Sequence, residues 1–263
     1  MVTKASLDGF ERSEHVVNGV NTVVLSIGEG PDLVFLHGTG TFTGFDMARL
    51  WAEKRRVIIP FHPGFGQSDT DPGIDCVEDH VLHYMDLFDQ LGLDRFELAG
   101  FSVGAWIAAE FAIRQPTRVE RLVLVAPAGL VDEETPAPDI FTIPPQELPA
   151  YLAHDPAVPV SYFPAEPDPA FEAQLGREMQ ALGVLVAANP QGNPKLARWV
   201  HRLTMPTLLL WGANDRLRPT AQSETWMKLL PETARRELVS ETGHLVFEET
   251  PAAGVVVLDF LTD

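Results

Sequence analysis

Short apolar runs alternate with longer segments of helical periodicity along most of the chain. The runs are rich in Val, Ile, Leu and Phe, which favours buried strands. This alternation is typical of a mainly parallel sheet covered by helices on both faces. The predicted strands are 23–27, 33–36, 57–59, 96–99, 122–125, 207–211 and 237–239, and the predicted helices are 77–91, 103–114, 221–230 and 251–261. Asn18-Gly19 predicts the turn of an edge hairpin near residues 15–24.

The alternation stops between about residues 128 and 200. Eleven of the 22 prolines lie between Pro127 and Pro169, so this part has room only for short helices and loops. The stretches 169–188 and 194–202 have helical spacing. A flexible linker would not hold so many aromatic and large apolar side chains. We therefore predict a core domain formed by residues 1–127 and 201–263, with residues 128–200 inserted as a cap.

The composition narrows the function further. The chain has 263 residues, with 19 Lys and Arg against 37 Asp and Glu, a formal net charge of −18 that disfavours nucleic acid as a partner. The hydrophobic fraction of 45% is sufficient for a large core. Cys76 is the only cysteine, which excludes an intramolecular disulfide and a thiolate-rich metal cage. With no apolar stretch of membrane-spanning length and no export signal, we expect a cytoplasmic protein with no membrane partner.

The strongest chemical signal is the sequence GFSVG at 100–104, which follows a predicted strand and begins a predicted helix. A serine at such a turn is held in a strained backbone conformation, and the flanking glycines are needed because a Cβ would clash there. The turn makes the hydroxyl of Ser102 accessible above the edge of the sheet. Ser102 is therefore the predicted nucleophile.

A serine hydroxyl needs a base to accept its proton and a third group to orient that base. Asp215 follows the predicted strand 207–211, and His244 follows the predicted strand 237–239. The order Ser102, Asp215, His244 is the order expected for this type of nucleophile turn, and all three lie where parallel strands end. Asp132, which comes after the sixth strand, is the alternative acid. Asp215 is preferred to Asp132 because the motif around it fits a catalytic acid better.

The loop HGTG at 37–40 follows the third predicted strand. Backbone N–H groups of such a glycine-rich loop can stabilise the negative charge that develops on a carbonyl oxygen. We assign the two oxyanion donors to Thr39 and Val103, with Gly38 as the fallback for Thr39. The loop lacks the lysine and spacing of a phosphate-binding P-loop. Gly38, Phe42 and Phe101 are the candidates for contacts with the substrate.

These motifs together resemble the α/β-hydrolase superfamily over nearly the whole chain apart from the cap. WGANDRL around Asp215, ETGHLVFEETP around His244 and HPGFGQS at 62–68 add to the resemblance, and the last is typical of capped members such as carboxylesterases and meta-cleavage-product hydrolases. The resemblance implies an α/β fold with a mostly parallel eight-stranded sheet, helices on both faces, and a helical cap after strand 6. It also implies that Ser102 is acylated, that His244 acts as general base and then acid, and that Asp215 orients His244. Members with an aspartate nucleophile are disfavoured.

Other histidines offer a competing interpretation. His80 and His83, with Asp79 and Asp86 nearby, have a spacing that could suggest a metal site, but no further ligand cluster joins them. We interpret them as part of a solvated helix face and predict no metal site. His37 and His62 are expected to pack the loops at the strand ends.

The predicted function is a cofactor-independent serine hydrolase that cleaves a small to medium, largely apolar and uncharged carboxylic ester or lactone through an acyl-enzyme. Two alternatives remain. One is the hydrolysis of a carbon–carbon bond in a vinylogous diketone by the same three residues, as in the meta-cleavage-product hydrolases. The other is a small-molecule receptor with slow turnover on the same fold. No sequence pattern specifies an oligomeric state.

Overall fold

A single twisted sheet organises the protein. The computed structural model describes residues 6–263, and within them eight strands pair in the order β1-β2-β4-β3-β5-β6-β7-β8. Their bounds are β1 Glu11–Val17, β2 Val20–Ile27, β3 Asp32–Leu36, β4 Arg56–Pro60, β5 Phe96–Phe101, β6 Val119–Val125, β7 Thr207–Gly212 and β8 Arg235–Val239. β1 and β2 form an antiparallel hairpin, β2 also pairs antiparallel with β4, and all other pairs are parallel. The predicted hairpin is confirmed, with Asn18 and Gly19 at φ 50° and 88°.

Helices cover both faces of the sheet. Their bounds are α1 Asp46–Trp51, α2 Val77–Gln90, α3 Val103–Arg114, α4 Leu148–Leu152, α5 Ala157–Ser161, α6 Pro169–Val186, α7 Gln222–Leu229, α8 Val246–Glu249 and α9 Ala253–Thr262. Within the described part of the chain, no helix combines the length and apolarity needed to cross a membrane.

Alternate residues of the parallel strands enter two separate hydrophobic cores. Leu33 and Phe35 of β3 belong to the core that also contains Trp51 of α1, whereas Val34 lies on the opposite side with Phe111 of α3. This alternation follows from the two-residue repeat of a strand, and burial on both sides explains why the central strands are continuously apolar. The sheet therefore gives a rigid base whose carboxyl-end loops carry the site.

Between β6 and β7 the regular elements are all α-helices or 3₁₀ turns, joined by loops, apart from an isolated bridge between Leu130 and Asn193. The proline-rich part forms only five-residue helices and a 3₁₀ turn at Ile140–Thr142, as predicted. Helix α6 begins at Pro169, and the Asp168 side chain caps it by accepting from the N–H groups of Ala170 and Phe171. Residues 194–202 contain two 3₁₀ turns, Leu196–Arg198 and Val200–Arg202, instead of one helix. The division at residues 128 and 200 stays a prediction, and we call this stretch the 128–200 segment.

The prediction that His80 and His83 lie on a solvated helix face is wrong. Both project from α2 into the protein and are only 2% and 3% exposed. His83 Nε2 lies 2.9 Å from Thr22 Oγ1, and His80 Nδ1 lies 3.0 Å from the carbonyl oxygen of Cys76. These histidines occupy the same face of α2 as its large apolar side chains. Each has one ring nitrogen in a hydrogen bond, His80 within its own helix and His83 with a residue of β2. Among the described residues, the ligand atoms close enough to hold a metal ion belong to Asp75, Cys76 and Asp79.

Candidate active site

Ser102 lies in a tight turn between β5 and α3. Its backbone angles, φ 54° and ψ −117°, are a strained combination for a residue with a side chain. A Cβ on Gly100 would lie 2.5 Å from the carbonyl oxygen of Gly104, and a Cβ on Gly104 would lie 2.2 Å from that of Leu36. The Ser102 N–H donates to the carbonyl oxygen of Val125 at 2.9 Å, which fixes the turn against β6. Both glycines are therefore required by close backbone packing.

His244 lies between Ser102 and Asp215. His244 Nε2 is 2.9 Å from Ser102 Oγ, and His244 Nδ1 is 2.8 Å from Asp215 Oδ2. Because a carboxylate only accepts, Nδ1 carries the proton and Nε2 accepts from the serine hydroxyl. The Asp215 side chain is fully buried, and its other oxygen accepts from the N–H groups of Leu217 and Arg218 at 2.9 and 2.7 Å. These hydrogen bonds fix the carboxylate, which in turn orients the imidazole.

Asp132, the alternative acid, has other partners. Its Oδ2 accepts from the Thr225 hydroxyl at 2.6 Å, and its Oδ1 accepts from the N–H groups of Glu134 and Thr135 at 3.0 Å. These bonds lower the pKa of the Asp132 carboxyl, with the Thr225 bond as the main cause. The structure thus brings Asp215, and not Asp132, to His244.

Two buried histidines hold the loop that follows β3. His37 Nε2 accepts from the His62 N–H at 3.1 Å, so His37 Nδ1 is the nitrogen that donates to the carbonyl oxygen of Gly38 at 2.6 Å. His62 Nε2 donates to the carbonyl oxygen of His37 at 2.7 Å. Burial lowers the pKa of His37 to about 4, which keeps its ring neutral and able to accept. As expected from the sequence, both histidines pack the loops.

Thr39 and Val103 lie beside Ser102. Thr39, Val103 and Ser102 line one cavity, and within residues 6–263 neither N–H donates to a protein acceptor. Val103 is the first residue of α3, where the helix itself supplies no acceptor and its dipole favours negative charge. Gly38 lies in the loop with Thr39, and a Cβ there would lie 2.7 Å from Phe101 Cδ1.

Two chambers meet at Ser102. Both are lined by Thr39, Ser102, Ile140 and Leu217. The first, which we call the His244 chamber, is otherwise mainly apolar, with Phe42, Phe101, Leu152, Leu175, Met179, Glu178, His244 and Leu245 among its lining residues. The second, the Arg218 chamber, is lined by Val103, Trp106, Ala128, Asp139, Leu182 and Arg218 among others. A wider open groove along Glu110, Arg114 and Lys195 includes none of Ser102, Asp215 and His244.

The predicted contact residues Phe42 and Phe101 both line the His244 chamber. The Phe101 ring lies 4.9 Å from the His244 ring between centroids. Phe42 also packs against Phe163 and Phe171 of the 128–200 segment, with centroid distances of 5.6 and 6.0 Å. Phe42 thus joins the loop after β3 to the chamber wall.

Glu178 of α6 ties the 128–200 segment to two loops of the site. Its Oε2 accepts from the Thr41 N–H at 3.0 Å, and its Oε1 accepts from the Thr41 hydroxyl at 2.5 Å and the Gly66 N–H at 2.9 Å. The side chain is buried, and Gln174 donates to the same Oε1 at 3.1 Å. A buried carboxylate with this many donors is firmly held, and so are the loops that supply them.

The loop that carries His244 also contacts the 128–200 segment. The Leu245 N–H donates to the carbonyl oxygen of Leu152 at 2.8 Å. A Cβ on Gly243 would lie 2.6 Å from the backbone nitrogen of His154. Glu249 accepts from the Gly243 N–H at 2.5 Å and from the Asp155 N–H at 2.8 Å. The segment therefore braces the loops on both sides of Ser102.

Two residues of the site, Glu178 and Arg218, do not stand out as functional in the sequence. Glu178 carries a weak signal, because it is an acid next to Met179 and between Leu175 and Leu182 on the apolar face of a helix. Arg218 lies three residues after Asp215, and the glycine and aspartate of that motif are the stronger functional signal.

Comparison with known proteins agrees with this fold. Residues 33–257 match the sequence model of the group described as the Alpha/beta hydrolase family. The 2-hydroxy-6-oxo-2,4-heptadienoate hydrolase of Pseudomonas putida F1 is 29% identical, over 94% of each chain. The solved naproxen esterase of Bacillus subtilis has a TM-score of 0.77 at 20% identity, covering 96% of this chain and 91% of that one. A meta-cleavage product hydrolase from Pseudomonas fluorescens IP01 also has a TM-score of 0.77 at 20% identity, with coverages of 95% and 97%. The matches and the observed sheet show that the chain belongs to the alpha/beta hydrolase family.

Proposed function

We propose that this protein is a serine hydrolase that transfers the acyl group of a small to medium carboxylic ester or lactone to Ser102 and then to water. The observation that carries the proposal is the position of His244, hydrogen-bonded to Ser102 Oγ at 2.9 Å and to Asp215 Oδ2 at 2.8 Å. This is the arrangement that a serine nucleophile needs for activation.

In the first half-reaction, Ser102 Oγ attacks the acyl carbon while His244 Nε2 takes the hydroxyl proton. The negative charge on the carbonyl oxygen is stabilised by the N–H groups of Thr39 and Val103, which have no protein acceptor within the described residues. His244 then gives its proton to the leaving alcohol, and Asp215 stabilises the imidazolium in between.

In the second half-reaction, a water molecule takes the place of the alcohol. His244 removes its proton, the hydroxyl attacks the acyl carbon, and Ser102 leaves with the proton returned from His244. The products are an acid and an alcohol, and the enzyme returns to its starting state. None of these steps calls for a cofactor.

The chamber walls favour a substrate with apolar parts. Phe42, Phe101, Leu152, Leu175 and Met179 line the His244 chamber. Apolar walls with a few placed polar groups are typical of small-molecule sites. They fit an apolar alcohol or lactone portion better than a highly charged one.

A carbon–carbon hydrolase is the second candidate. It is favoured by the 2-hydroxy-6-oxo-2,4-heptadienoate hydrolase of Pseudomonas putida F1, which is similar to this chain over 94% of its length. The same three residues would serve, with a carbon fragment as the leaving group in place of the alcohol.

The test measures 4-nitrophenol release from acetate, butyrate and octanoate esters by the wild type and by Ser102→Ala, beside 2-hydroxy-6-oxo-2,4-heptadienoate. We expect turnover of at least one ester, lost by about 10³-fold or more in Ser102→Ala. Turnover of the dienoate alone would favour the carbon–carbon reaction. Ester turnover that survives in Ser102→Ala contradicts the proposal, and tight ligand binding without turnover would support the receptor alternative.

A further inference from the structure

The Arg218 side chain lines the chamber beside Ser102 and Val103, and it is half-buried. Its backbone N–H donates to Asp215, and its carbonyl oxygen accepts from Trp211 Nε1 at 2.9 Å. Its guanidinium, in contrast, makes no hydrogen bond or ion pair with any residue in the range 6–263. A guanidinium has five N–H donors, so that of Arg218 can offer several hydrogen bonds to a ligand in the chamber.

Several other arginines of the fold pair with carboxylates. Arg55 pairs with Glu97 at 2.6 Å, and Arg114 pairs with Glu110 at 2.5 Å. In a protein with a net charge of −18, acidic partners are abundant. The remaining arginines donate to a carbonyl or hydroxyl oxygen or lie over an aromatic ring. The Arg218 guanidinium, inside the candidate site, has none of these partners among the described residues.

The charge on Arg218 is retained at neutral pH. Burial lowers its pKa to about 10, and the nearby Asp215 carboxylate opposes that effect. The Asp139 carboxylate lines the same chamber, but it caps a 3₁₀ turn by accepting from the Phe141 N–H at 3.0 Å and forms no ion pair with Arg218. Arg218 thus presents a positive charge in a chamber that opens onto Ser102.

The proposed mechanism determines which part of the substrate meets this charge. The leaving group must reach His244 Nε2 to be protonated, so it occupies the His244 chamber. The acyl group must then extend into the other chamber, past the N–H of Val103. This step rests on the proposed function.

We infer that Arg218 binds an anionic group at the far end of the acyl chain, so that the preferred substrates are monoesters of short dicarboxylic acids. A carboxylate suits the fork of donors on a guanidinium, and two parallel hydrogen bonds would fix the chain. The inference adds a terminal carboxylate to the apolar, uncharged ester predicted from the sequence. Hydrolysis of such a substrate releases a dicarboxylic acid and an alcohol.

The experiment compares 4-nitrophenyl hydrogen adipate with methyl 4-nitrophenyl adipate, in which the same terminal carboxylate is masked. The matching glutarate and pimelate pairs cover neighbouring chain lengths, and spontaneous hydrolysis is subtracted. The quantity of interest is the ratio of kcat/KM for the acid to that for its methyl ester. We expect the wild type to favour the acid of at least one pair by about tenfold or more, as for a hydrogen-bonded charge pair.

Three variants test the assignment. Arg218→Gln should abolish the preference, and Arg218→Lys, which keeps the charge without the fork, should retain part of it. Arg216→Gln is the matched control, because Arg216 is exposed and lies over the Tyr151 ring at 4.5 Å. It should keep the wild-type ratio. The inference is overturned by equal ratios in the wild type and Arg218→Gln, or by equal losses on both substrates with a lower melting temperature, which would make Arg218 structural.

A binding measurement separates this inference from the proposed function. Calorimetry on Ser102→Ala should show monomethyl adipate binding about tenfold more tightly than dimethyl adipate, and Arg218→Gln in the same background should remove the difference. Equal affinities would overturn the inference even if Ser102 is the nucleophile. If the wild type hydrolyses none of the aryl esters, the proposed function fails, and the calorimetry still decides the role of Arg218.

Discussion

Glu178 Oε1 lies 2.5 Å from Thr41 Oγ1, which connects helix α6 to the loop that follows β3. Thr41 is two residues beyond Thr39, whose N–H is one of the two proposed oxyanion donors. The placement of that donor therefore depends on a buried carboxylate contributed by the 128–200 segment. The segment contributes residues to the walls of both chambers and a hydrogen-bond acceptor to that loop.

We predict that Glu178→Gln lowers both activity and stability. The NH₂ group of the glutamine would face N–H or O–H donors of Thr41 or Gly66 that now donate to a carboxylate oxygen. Each buried donor left without an acceptor lowers the free energy of unfolding by about 1–3 kcal/mol. Ester kcat should fall about tenfold, with a smaller change in KM, because a displaced Thr39 weakens transition-state binding more than substrate binding. The melting temperature should fall as well.

Glu172→Gln is the control, since Glu172 lies exposed in the first turn of the same helix. It should leave kcat and melting temperature unchanged. A Glu178→Gln enzyme with wild-type kcat would show that the carboxylate does not position the loop.

Asp215→Asn should reduce kcat/KM for esters by about 10³–10⁴-fold. The asparagine amide would favour the wrong tautomer of His244, with Nε2 carrying the proton that it needs to accept. Steady-state ester hydrolysis checks the loss. Asp132→Asn is the matched control and should retain activity, because Asp132 holds Thr225 and two backbone N–H groups and does not contact His244. The opposite pattern would assign the acid to Asp132.

Stability should decrease as the pH falls from about 6.5 to about 4. Burial lowers the pKa of His37 and of His83 to about 4 in the folded protein, against about 6.5 in an unfolded chain. In this window the unfolded state binds protons that the folded state does not, so the free energy of unfolding falls with pH. At pH 5, each such histidine lowers the free energy of unfolding by about 2 kcal/mol relative to neutral pH.

Urea unfolding at pH 7.5 and pH 5 measures this dependence. His83→Gln should make the difference between the two pH values smaller by about 2 kcal/mol. His201→Gln, at an exposed position, should leave the difference unchanged. If the pH dependence of His83→Gln equals that of the wild type, burial of His83 does not cause the acid sensitivity.

Two helical glycines should respond oppositely to alanine. In Gly104→Ala the new Cβ would meet the carbonyl oxygens of Leu36 and His37 at 2.2 and 2.3 Å, and such overpacking costs about 1–3 kcal/mol. In Gly176→Ala the Cβ would have no atom within 4 Å, so the higher helix propensity of alanine should add about 1 kcal/mol. Thermal unfolding compares the two variants. Equal effects would contradict the packing described around Ser102.

The turn around Ser102 was predictable because its cause is local. A strand, two glycines and a helix are adjacent in sequence, and each glycine fills a position where a Cβ would clash. Asp215 and His244 were predictable for a topological reason. Parallel strands end at one edge of the sheet, so residues that follow them converge regardless of their distance along the chain.

The remaining features depend on contacts between distant parts of the chain. The burial of His80 and His83 is set by which face of α2 packs inward, and polar side chains do not indicate that face in the sequence. The roles of Glu178 and Arg218 depend on how the 128–200 segment packs against the loops of the site. Proline-rich segments carry weak periodicity, so that packing could not be read from the sequence.

The most direct test of the account is mass spectrometry of the intact protein after reaction with a fluorophosphonate, followed by peptide mapping. The account predicts a single adduct on Ser102 in the wild type and no adduct in Ser102→Ala, which otherwise folds normally. An unmodified wild type, or an adduct that persists in Ser102→Ala, would contradict the claim that Ser102 is an activated nucleophile.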